Sequence, residues 1–161
     1  MERLTGIVMI HTPPKYLLLT GEFMSRLVKL DGPGKQRNHF MRTAAELIRL
    51  LGQKTSIDED ARDMVAMLIY CLRGIANGID DSAQAWEKRD YWVKAEQFRV
   101  RWAWSGRAAD QLTALTRNQT WEQLPTLLIS LLPHFTEIKI GKLTRNPDMW
   151  QGAYQRLMEQ S

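Results

Sequence analysis

The chain has 161 residues, enough for one domain with a single core that needs neither metal nor disulfide to fold. Hydrophobic residues make up 44% and charged residues 25%, which excludes wholesale disorder; no apolar run approaches the ~20 residues that cross a bilayer. The formal charge is only +4, from 22 basic and 18 acidic residues, but it is segregated. Lys29–Lys54 and Lys88–Arg107 are basic and Asp58–Asp63 is acidic.

In chain order, Gly6–Ile10 is β-branched enough for a short strand, stopped by Pro13-Pro14. A lone strand has no ladder to satisfy its backbone, so residues 1–14 read as an extended arm, lying on its own helices or docking on another subunit. Everything after it reads as helix. Leu18, Phe23, Leu27 and Leu30 mark a helix over 15–30, ended by the turn chemistry of Asp31-Gly32-Pro33-Gly34. Phe40, Ala44, Leu47, Ile48 and Leu51 share one face of the next helix, and Gly52 terminates it. Ser56 or Asp58 caps a third, which buries Met64, Met67, Leu68, Cys71, Leu72 and Ile75 and ends near Asn77-Gly78. Asp80-Asp81 then caps a long helix to Trp104, broken at Ser105-Gly106 and followed by a shorter one through Leu112 and Leu115. Trp121–Leu132 is a buried helix with Pro125 in its first turn, and a basic connector, Lys139–Arg145, leads to a last helix, Pro147–Gln160. The expected fold is all-α: one bundle of six or seven helices over residues 15–161.

The residues offer no assembled catalytic or metal chemistry. His11, His39 and His134 lie in separate segments without carboxylate or thiol partners at ligand spacing. The lone Cys71 falls on an apolar helix stripe, where a thiol is inert, and a single cysteine suits a reducing compartment. Gly34-Lys35 lacks both the upstream glycine and the following Ser or Thr of a phosphate loop. The reading is therefore a non-enzymatic, cytoplasmic protein without cofactor.

The densest signal is WEKRDYWVKAEQFRVRWAW, Trp86 to Trp104. At ~100° per residue, Tyr91, Ala95, Phe98 and Trp102 form one apolar stripe and Trp86, Val93, Val100 and Trp104 a second, nearly opposite. Two stripes predict a helix sandwiched inside the bundle. Lys94 and Arg101 occupy one strip between them, Lys88 and Arg99 the other, with Asp90–Lys94 and Glu96–Arg99 as expected pairs. Trp92 lies off both stripes and is the ring left for base stacking or partner contact.

Basic residues recur in register elsewhere: Arg42 with Arg49, Arg62 with Arg73, and the loop carrying Lys35 and Arg37. Rows spaced about 10 to 16 Å suit an extended phosphate backbone, contacted without sequence reading. The candidate nucleic-acid contacts are thus Lys35, Arg37, Arg42, Arg49, Arg62, Arg73, Lys88, Lys94, Arg99 and Arg101.

In length, helical texture and charge distribution, over about Lys15 to Gln160, the chain resembles the small subunit of class 1, Cascade-like CRISPR effector complexes. The closest type is the one whose small subunit corresponds to the C-terminal region of the large subunit. The resemblance implies a bundle present in several copies beside other subunits. Its basic faces would steady the displaced DNA strand and the guide RNA–target duplex in antiviral defence. The competing reading is a protein-only adaptor with Trp92, Trp150 and Tyr154 as interface anchors.

Overall fold

A computed structural model describes residues 32–160. The arm over 1–14 and the helix over 15–30 lie outside the described residues. Within them the architecture is all-helical: α1 (Gly32–Gly52), α2 (Glu59–Glu87), α3 (Trp92–Asn118), α4 (Leu124–Leu131) and α5 (Ala153–Met158), with 3-10 turns at Trp121–Gln123, Leu132–Phe135 and Pro147–Met149. None of these helices is long and apolar enough to cross a membrane.

The central element is α2. Every residue from Asp63 to Leu72 is buried, so it presents apolar surface all round rather than one stripe. It packs most extensively on α3, then on α1 and α5. Asp58 caps it, accepting from the Ala61 N–H at 2.8 Å, and its Lys54 partner neutralises that end. Gly74 admits the Phe40 ring of α1: a β-carbon there would sit 2.4 to 2.8 Å from three ring atoms. Asn77-Gly78 does not end this helix, since nothing forces a stop when Ile75, Ile79 and Ala83 continue the buried face to Glu87.

The sandwiched helix is therefore α2 and not Trp86–Trp104. That stretch is broken at Lys88–Asp90, where Asp90 adopts φ 65°. Tyr91 N–H bonds Trp86 O at 3.0 Å and Asp90 N–H bonds Glu87 O at 3.0 Å, the double closure of a left-handed helix stop. Aspartate tolerates this conformation better than most non-glycine residues. The expected break at Ser105-Gly106 is absent. Ser105 returns its hydroxyl to Trp102 O at 2.8 Å, and Gly106 lies against Ala76, so both small residues let α3 approach α2 closely. Ala95, Ala108, Ala109 and Leu112 complete this contact face.

Two further boundaries differ from expectation. Gly32-Pro33-Gly34 forms the first turn of α1, where a proline lacking its N–H is tolerated, so Lys35–His39 are helical and this helix starts ahead of Phe40. The last helix is shortened to α5, preceded by Gly152 at φ 82°. The buried Asp63 carboxylate accepts from Gly152 N–H at 3.0 Å and Tyr154 N–H at 2.9 Å, and Trp150 donates its indole N–H to Asp60 at 2.9 Å. Trp150 is 2% exposed and Tyr154 is half-buried against Trp121, so neither stands out as an interface anchor.

Candidate nucleic-acid interface

Four of the ten candidate cations are committed to the fold itself. On α1, Arg42, Glu46 and Arg49 follow one another at spacings of four and three and form a clip for the connector over 139–145. Arg42 donates to the carbonyls of Lys139 at 3.1 Å and Lys142 at 2.8 Å, and Arg49 to that of Ile140 at 2.9 Å. Between them the fully buried Glu46 carboxylate accepts from Arg42, from the Thr144 N–H and hydroxyl, and from the Arg145 N–H, at 2.7 to 3.0 Å. Burial alone would raise the Glu46 pKa, but these donors outweigh it and hold it down to about 2. Arg73 bonds the Thr113 hydroxyl at 3.0 Å across the α2–α3 contact. Arg99 makes a two-pronged ion pair with Glu87 and reaches Asp80 at 3.3 Å, replacing the expected Glu96 partner. Asp80, read as a helix cap, is a mid-helix partner of Arg99 and Gln84.

The remaining candidates divide by position. Arg62 lies near the start of α2, roughly 40 Å along that helix from its far end, at 1.5 Å per residue. Arg37, Lys88, Lys94 and Arg101 gather instead at the α2–α3 end of the bundle, and Lys35 lies on the first turn of α1 beside Arg37. The guanidinium of Arg37 rests over the rings of Phe98 at 5.2 Å and Trp102 at 5.4 Å. Its burial, and then the repulsion of nearby Arg101, lower its pKa from the usual arginine value. Lys94 sits 4.6 Å over the Trp86 ring, which in turn packs on Phe98 at 4.8 Å; this contact, and not an ion pair with Asp90, positions Lys94. Lys88 and Arg101 are exposed and have no side-chain partner among the described residues. Arg89, which the sequence reading left out of the candidates, lies with them in the turn and is equally uncommitted.

The aromatic rings at this end split as the helix break dictates. Phe98 and Trp102 pack against the core, while Trp104 stacks on His134 at 4.1 Å. Trp92 and Tyr91 open α3 in solvent, 60% and 54% exposed. Val93 and Val100, assigned to a second buried stripe by periodicity, are 71% and 66% exposed, because no described element packs on that side of α3. The result is one end of the bundle with two free rings, two exposed valines and uncommitted cations from the Lys88–Tyr91 turn and the outer side of α3.

The fold and this surface define a helical bundle with a basic, aromatic end. Compared with known proteins, the chain matches no family model, no curated protein and no solved structure.

Proposed function

We propose that the chain is a non-enzymatic, nucleic-acid-contacting subunit of a Cascade-like CRISPR ribonucleoprotein. It holds the backbone of the displaced DNA strand and the guide–target duplex without reading sequence, beside other subunits and copies of itself. The carrying observation is the α2–α3 end, where Trp92 and Tyr91 are exposed and Lys88, Arg89 and Arg101 have no carboxylate partner among the described residues. Cations uncommitted to the fold release counterions when they meet phosphates, and free rings stack on unpaired bases. Arg42, Arg49, Arg73 and Arg99 drop out of this role because their guanidinium groups hold the protein together.

The test is fluorescence anisotropy with a labelled single-stranded oligonucleotide. Three phosphate contacts predict a loss of roughly 20-fold in affinity between about 50 and 200 mM salt. The triple variant Lys88→Glu, Arg89→Glu, Arg101→Glu should lower affinity at least tenfold with an unchanged circular dichroism spectrum. Wild-type binding by that variant refutes the reading.

The exposed Val93 and Val100 favour a second reading, a protein-docking adaptor, since bases gain little from aliphatic side chains. Size-exclusion chromatography separates the two: an adaptor's complex survives nuclease treatment, and a nucleic-acid-bridged one does not.

A further inference from the structure

The same end of the bundle holds a cleft of ≈ 390 Å³ between the first turn of α1, the last turns of α2 and Phe98 of α3. That is within the size range of small-molecule sites. Trp86 and Phe98 form its aromatic corner, with planes inclined at 58°. Arg37 spreads its guanidinium over the Phe98 ring, and Arg89 lines the cleft as a second cation. Its remaining polar groups are the Asp81 carboxylate and the Ser82 hydroxyl. Asp81, Ser82 and Arg89 have no side-chain hydrogen bond or ion pair with any described residue, although Asp80 next door has two partners.

This set of groups describes its ligand. Rings and a planar guanidinium favour a flat, aromatic molecule, and the uncommitted Arg89 favours an anionic group attached to it. A carboxylate with both oxygens unused accepts two parallel N–H donors. Among the bases, guanine alone places two such donors side by side on its pairing edge, at N1 and N2. We propose that this cleft captures a guanine nucleotide of a single strand. Asp81 accepts from the N1–H and N2–H, the base lies against Arg37 and the aromatic corner, and Arg89 meets the phosphate. The proposal rests on the reading of this end as a nucleic-acid surface and adds to it one position at which base identity registers.

The experiment is isothermal titration of the full chain with GMP, AMP, CMP and ribose 5-phosphate. GMP should bind roughly tenfold or more tightly than the others. Asp81→Asn should abolish that advantage, and Ser82→Leu, which fills the cleft, should abolish GMP binding. Equal binding of GMP and AMP, equal binding of GMP and ribose 5-phosphate, or an unaffected Asp81→Asn variant overturns it. Binding of oligo(dT), which carries no guanine, is measured in parallel. Oligo(dT) bound without a GMP preference sinks the cleft and leaves the surface standing. Oligo(dT) unbound sinks the surface, while the GMP series still decides the cleft.

Discussion

Gly74 shows how a single missing side chain sets a helix spacing. The Phe40 ring occupies the place of its β-carbon, and Phe40 is itself 4% exposed, so the ring has little room to retreat. Helix propensity favours alanine over glycine by about 1 kcal/mol, yet overpacking a closed core costs about 1 to 3 kcal/mol. Packing should win. Gly74→Ala is expected to lower the urea midpoint, whereas Gly78→Ala, at a position with open space around it, should raise it. Cys71 illustrates the opposite kind of residue. It is fully buried, and burial pushes its thiol up to about 12, so it contributes volume and no reactivity.

At the scale of elements, the clip on α1 is the feature with the largest energetic stake. Glu46 joins four donors from two segments, and Glu46→Ala would leave the Thr144 and Arg145 amides without their acceptor. The expected loss is about 3 to 5 kcal/mol, measured by chemical denaturation. Its pH dependence has a definite sign. The folded-state pKa of about 2 lies below the ordinary 4.5, so the stabilisation is complete above about pH 4.5 and disappears as pH falls towards 2. Stability curves of wild type and Glu46→Gln should therefore diverge at neutral pH and converge in acid. None of this was legible in the sequence, where Glu46 reads as one acid among several bases. Its partners lie 98 and 99 residues away, and spacing rules see only neighbours. The core faces of α1 and α2 were legible, because Phe40, Leu47, Met64, Leu68 and Ile75 follow a 3.6-residue period. The Trp86–Trp104 stretch was misread for the same reason. Periodicity carries straight through a turn whose only local marker is Asp90 at positive φ, and it cannot say that Val93 and Val100 stay exposed. Trp92 was read as lying off the buried stripes, and it is exposed.

Across the whole molecule, the described residues divide their charge by task. Arginines between helices, Arg42, Arg49, Arg73, Arg99 and Arg145, bond to carbonyls, hydroxyls and acids, while Lys88, Arg89 and Arg101 at the α2–α3 end have no such partner among the described residues. Charge reversal should therefore separate cleanly. Changing Arg42 and Arg49 to Glu lowers thermal stability, and changing Lys88 and Arg101 to Glu leaves the melting temperature within a few degrees, as calorimetry would show. The strap over 139–145 has one more effect, on the order of events during synthesis. A ribosome adding about 5 to 20 residues per second makes Glu46 several seconds before Thr144 and Arg145 exist. Throughout that interval α1 can meet α2 but cannot close its outer face, and its buried carboxylate stays hydrated. The nascent chain thus waits for the strap over 139–145 before α1 locks, and release before that point leaves an open bundle with α1 loosely attached.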